Sequence, residues 1–542
     1  MAAVPIGPVH AARERVPLNT GLAYVEARAA ALSGDYARSA TLFAALARQS
    51  GNEALTRRAI STAISAGDTQ LALQLMRGVA VDKLPLEAKL LLVADELRAG
   101  RTIRALSIAE TPAAEIDISF LGPLVRAWDA AQRKDLAGAI GALAAAPVNG
   151  VLAPYRDQHR ALILLKFKRS ADAVPLVERS LAGTGLRDQR LRFVFADAYL
   201  RAGDPQRAAA IVGPIGLDGA IAKARLRSGK PVGQAIENPA AAMSDLLTGI
   251  AVSLGGRGDP GLPIALLQVA RAADPTNSSA ALLLGFLLAR DDRPANALAV
   301  YRSVADNDPF VAHARQLEAG LLADEKRETE ALALAQSRSA RRDAGPADHD
   351  GLARVLSSMG RNDAAADAYG RAISLAGQDA KSEDLWPLYL NRASALEQAG
   401  RWPEAKQALE TALRLAPQEP LILNNLGYAK LERGEDLDQA ESMIRKASAL
   451  APDDASITDS LGWALYKQGR VADSIQLLQQ AAVKDPAEPE IREHLGDALY
   501  SAGRRYEARF AWNAALVNAE GDSAARVKSK LDSGLTPKTA AP

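Results

Sequence analysis

Five histidines, His10, His159, His313, His349 and His494, are the first candidates for catalytic or metal chemistry. No two of them stand at metal-ligand spacing. Cysteine is absent. That excludes a thiolate zinc site, a cysteine nucleophile and a disulfide framework. No G-x-S-x-G elbow occurs. Gly229-Lys230 is followed by Pro231 and lacks the upstream glycine of a phosphate loop. Gly183-Thr184-Gly185 lacks the third glycine of a dinucleotide fingerprint. Carboxylates are plentiful, but helical surfaces carry them by default, so no acid/base pair stands out. The sequence predicts no enzyme, no cofactor and no metal. What remains is recognition.

The elements that would present recognition groups follow from composition and period. Hydrophobic residues make up 48% of the chain and charged residues 24%, the balance of a folded protein rather than a disordered one. The net charge of +1 gives no global attraction to nucleic acid or anionic membrane. Basic groups are in excess over residues 1–300 and acidic groups over 301–542, a drift that solvated helix faces alone can produce. No run of 18 apolar residues occurs, so no membrane span is expected. Met1–Pro17 lacks the apolar core of a secretory signal.

Hydrophobic periodicity is helical throughout. A small residue recurs after a Gly-Arg or Gly-Asp turn and before an apolar run: Ser39, Ala72, Ala105, Ala139, Ala173, Ala208, Pro263, Ala297, Ala331, Ala365, Ala405, Ala440, Ser474 and Ala508. The interval is 33–35 residues, apart from one of 55 and one of 40. A small side chain there lets two helix backbones approach closely. A glycine suits the left-handed turn between them, and a proline such as Pro486 punctuates the passage to the next unit. About a fifth of the residues are alanine, which serves both helix propensity and this close approach.

This period and pattern resemble the tetratricopeptide repeat, two helices per unit. The match is carried by Leu461, Gly462, Leu465, Gly469, Arg470, Ser474, Leu478, Ala481 and Pro486. It recurs in Leu495, Gly496, Leu499, Gly503, Ala508, Trp512 and Ala515, and upstream in Ala393, Gly400, Ala405, Leu409, Ala412 and Pro417. It covers about nine-tenths of the chain. The resemblance implies an all-α superhelical solenoid of about 14 helix-turn-helix repeats. The expected organisation is an N-terminal lead (1–17), a first array (18–212), a degenerate repeat or joint (213–245), a second array (246–523), and a capping helix with a disordered tail (524–542). Extra residues near Gly377–Asp384 imply a longer loop.

Such an array offers a concave groove built mainly from first helices, suited to a partner protein or peptide. The repeat register places Asn424, Asn425 and Tyr428, then Asp459, Trp463 and Tyr466, then Glu493, Asp497 and Tyr500 along it. Trp463 is the expected anchor, so Trp463→Ala should weaken partner binding without unfolding. Some members of the family clamp a terminal carboxylate with lysine and asparagine. Asn425 fits one asparagine position, but Asn424, Asp459 and Glu493 stand where lysines belong. An acidic, aromatic groove suits a basic or apolar peptide better.

The closing block is also similar to the C-terminal units of large proteobacterial tetratricopeptide proteins. The similarity is carried by Asp459, Ser460, Gly462, Trp463, Tyr466, Gly469, Arg470, His494, Leu495 and Gly496. Many of those are periplasm-facing outer-membrane lipoproteins, including adaptors for a carboxy-terminal processing protease. The resemblance implies a periplasmic, outer-membrane-associated scaffold that binds partner proteins. The alternatives are a scaffold of an envelope polysaccharide export machine, or a cytoplasmic location. A lipid anchor is expected only if a signal and its cysteine were trimmed.

Overall fold

The computed structural model describes residues 20–111, 117–182, 186–212, 222, 225–233, 235–255, 259–342, 344–377, 382–537 and 539–541. The N-terminal lead, His10 and the start of the 213–245 joint lie outside these residues. All regular structure among the described residues is helical. They form fourteen helix–turn–helix pairs and one final helix. No described helix is long and apolar enough to cross a membrane.

The repeated small position explains how the pairs close. Ser39, Ala72, Ala105, Ala139, Ala173, Ala208, Ala297, Ala331, Ala365, Ala405, Ala440, Ser474 and Ala508 are all fully buried. Each sits early in a second helix, where it faces the first helix of its own pair. The partner position is often glycine. A methyl added at Gly496 would overlap the Trp512 ring, and one at Gly462 would press on Leu478. The turn between helices takes a left-handed residue. Gly469 and Gly503 do so with φ of 79°.

The described residues divide into two compact units, one up to residue 334 and one from residue 335 on. The division falls inside the helix Glu328–Ser339, and not at the Gly- and Pro-rich joint. The described part of the joint instead packs within the first unit. Val232 donates its N–H to Asp197 and both are buried.

Inside the first unit, helices Pro239–Leu254 and Gly261–Ala273 lie against the first helices Glu53–Ala66, Leu86–Arg98 and Leu121–Gln132. Pro239–Leu254 is buried on nearly every face, as a helix apolar all round must be. Its one carboxylate, Asp245, is fully buried and bonds Arg190 and Gln158. Ser244 and Thr248 both accept from the Asn277 amide, at 2.9 and 3.1 Å. The unit thereby fills its own inner face.

The second unit is numbered here α1 (Pro346–Ser358), α2 (Asn362–Ala376), α3 (Ser382–Gln398), α4 (Trp402–Leu415), α5 (Pro420–Glu432), α6 (Leu437–Leu450), α7 (Ala455–Lys467), α8 (Val471–Lys484), α9 (Pro489–Ser501), α10 (Arg505–Asn518) and α11 (Gly521–Ser533). Odd numbers are first helices, and α11 closes the stack. Residues 378–381 of the longer loop between α2 and α3 lie outside the described residues.

Gly496→Ala is expected to cost about 1–3 kcal/mol by overpacking against Trp512. The check is urea denaturation beside Gly503→Ala, whose positive φ carries a backbone penalty of its own, about 1 kcal/mol.

Candidate functional site

The first helices α3, α5, α7 and α9 enclose a cleft of about 530 Å³. Asn424, Asn425, Tyr428 and Asp459, all named from the sequence, line it. So do Glu397, Glu432, Arg433, Ser456, Ser460, Glu488, Glu490 and Ile491. Five carboxylates face one guanidinium, a formal charge of −4. Two buried acceptors in this wall, Oδ1 of Asn424 and Oδ1 of Asp459, have no hydrogen-bond partner. The Tyr428 hydroxyl hydrogen-bonds Glu490 and, being buried, is held above the usual phenol range. Burial also raises Glu490, and nearby Asp459, Glu488 and Glu493 add to the effect, against His494 alone.

The other predicted residues are not open to a partner in the same way. Trp463 is fully buried. His494 of the next repeat stacks on it with ring centroids 4.0 Å apart, and Tyr466 stacks on its other neighbouring face at 4.7 Å. Its indole N–H donates to Glu432 at 3.2 Å. It is therefore a core residue between repeats rather than a projecting anchor. Removing it opens a cavity. Tyr466 bonds Ser501 at 2.9 Å, and Tyr500 packs on Trp512 with centroids 5.4 Å apart.

Glu493 and Asp497 are fully buried on α9 and neutralised by α11. Arg526 grips Glu493 with two bonds of 2.7 and 2.8 Å. Lys530, itself fully buried, reaches Glu493 at 2.5 Å and Asp497 at 2.7 Å. Burial would raise Glu493, but the bonds from Arg526 and Lys530 prevail and lower it. Asp497 stays raised because its burial outweighs Lys530. It also accepts from Trp512 Nε1 and from the backbone N–H of Ala541, each at 2.9 Å.

Ala541 is buried in one cluster with Trp463, and Gly534 sits against the Tyr500 hydroxyl. The tail expected to be disordered thus lies on α7 and α9. Its buried N–H finds an acceptor in Asp497, and Leu535 packs among the last repeats. No sequence signal announces this, because the contacts of Gly534 with Tyr500 and of Ala541 with Asp497 join residues 34 and 44 positions apart.

The tetratricopeptide repeat family model matches residues 248–312, 390–455 and 460–525. These three segments are tetratricopeptide repeats. Tetratricopeptide repeats are protein-interaction scaffolds, and the two later matched segments contain eight of the nine predicted site residues, with Asp459 falling between them. No curated protein matches the chain. Among solved structures it is similar to a chain of the APC/C hetero-tetramer Cut9-Hcn1, at 16% identity and a TM-score of 0.41, over 96% of this chain and 97% of that one. It is also similar to a tetratricopeptide repeat protein from Parabacteroides merdae, at 11% identity and a TM-score of 0.38, over 46% of this chain and 96% of that one.

Within the repeats, Asp459 Oδ2 meets His494 Nδ1 at 2.8 Å. Burial disfavours a charged His494, but the adjacent Asp459 carboxylate prevails and raises it above 6.5. Its contribution to stability is therefore full below pH 6.5 and lost as pH rises through the folded value. The stability difference between wild type and His494→Gln should shrink across that rise in denaturation at stepped pH. A difference constant with pH would contradict the pairing. Trp463→Ala is expected to cost about 3–5 kcal/mol by cavity formation, read in the same denaturation.

Proposed function

We propose that this chain is a non-enzymatic scaffold that holds a partner protein segment on the first helices of its second unit. One contrast carries the reading. The first unit fills its inner face with its own helices Pro239–Leu254 and Gly261–Ala273. The second unit keeps an open cleft whose wall includes buried, unpartnered acceptors. A buried acceptor without a donor costs about 1–3 kcal/mol, and a partner's donor would recover it. The tail seated on α7 and α9 is a further support, since it is a non-helical segment held by the same face.

The sequence resemblance of the closing repeats supports a periplasmic, outer-membrane-associated adaptor that presents partners to a processing protease. Cell fractionation tests the compartment, and recovery in the cytosol would overturn it.

Asn425 is exposed at the cleft and Tyr506 is exposed on α10. A photo-reactive phenylalanine analogue placed at Asn425 should give a discrete adduct in cells, and the same probe at Tyr506 should not. Adducts from position 506 with none from 425 would move the interface elsewhere. A protease or cell-wall hydrolase in the adduct supports the adaptor, whereas synthase components would replace it with an export role.

A further inference from the structure

The last repeat displays what the inner face accepts. Asn424, Asp459 and Glu493 hold one register position in successive first helices, and Tyr428, Trp463 and Asp497 hold another. In α9 that register is met by two cationic side chains one turn apart on α11, Arg526 and Lys530. The closing helix is thus a basic helix docked on an acidic row.

One repeat earlier the row is met only in part, by His494 on Asp459 Oδ2. Asp459 lines the cleft, is 6% exposed, and keeps its Oδ1 buried without a hydrogen-bond partner. Arg433 answers Glu397 at 2.8 Å, and Lys467 lies 3.6 Å from Glu432. Glu490 has His494 at 3.9 Å as its nearest cation. Asp459 holds the other nitrogen of that ring, Nδ1, at 2.8 Å, and Nε2 stays beyond hydrogen-bond reach of Glu490. The only guanidinium among the lining residues of this acidic recess, Arg433, is paired with Glu397, so the spare buried carboxylate oxygen is left to a cation from outside. Guanidinium carries five N–H donors in a planar fork and is weakly hydrated, so it suits several acceptors in a part-buried site better than ammonium does.

We propose that the cleft between α5, α7 and α9 receives an arginine side chain of the partner segment, held by Asp459 Oδ1, Asn424 Oδ1 and Glu490. This rests on the scaffold reading above and names the chemistry of its ligand.

The test is selection of a random decapeptide display library on the full chain, followed by titration of one selected peptide. Arginine should dominate one position. Replacing it by citrulline, a neutral isostere, should weaken binding about tenfold or more, as expected for loss of a charge-assisted pair. Glu490→Gln, at a half-exposed rim residue, should weaken the arginine peptide by a similar factor and leave the citrulline peptide nearly unchanged. Asn425→Trp should block both. Peptides that lack a basic preference but are blocked by Asn425→Trp would overturn the arginine assignment and keep the scaffold site. Peptides indifferent to both variants, or an empty selection, would overturn both.

Discussion

Two helix backbones must touch once in every repeat, and the rest of the structure depends on that contact. It is made by a small residue early in each second helix, an alanine or serine with no residual exposure in thirteen pairs and the buried Pro263 in the other. Nothing larger fits without pushing the pair apart, and the fit recurs about every 34 residues. Because each pair closes in the same way, the first helices line up. Residues at one register position then fall in a row along them. Asn424, Asp459 and Glu493 form one such row, and the cleft is its open end.

The two units use their rows differently. In the first, two apolar helices cover the row, and the only carboxylate they bring, Asp245, is bonded by Arg190 and Gln158. In the second, the row is acidic and is neutralised from its C-terminal end inward. Arg526 and Lys530 answer α9, and His494 answers half of Asp459. Buried charges left alone are expensive. The position where the chain runs out of its own cations is therefore where an external cation gains most.

Local rules made the period, the helix pairs and the groove-facing register legible in the sequence. The turn residue was only partly legible. Glycine marks it at Gly469 and Gly503, but Lys134, Lys168, Asp292 and Lys326 adopt the same positive φ without that marker. Packing on both sides enforces a conformation that their own preference opposes. Trp463 was legible as an aromatic on the inner face. Its enclosure was not, because His494 comes from the next repeat and Ala541 from the tail. Lys530 reads as one more surface lysine of a polar helix. Only its distance from Glu493 and Asp497 gives it a role.

Recognition on the first helices of the second unit, at the acidic end left open, shields those helices when a partner is bound. Hydrogen exchange along the full chain, with and without a bound arginine-bearing peptide, tests it most directly. The account predicts slowed exchange in residues 420–432, 455–467 and 489–501, with the first unit unchanged. Slowing confined to the second helices 437–450, 471–484 and 505–518, or to residues 20–334, would contradict it.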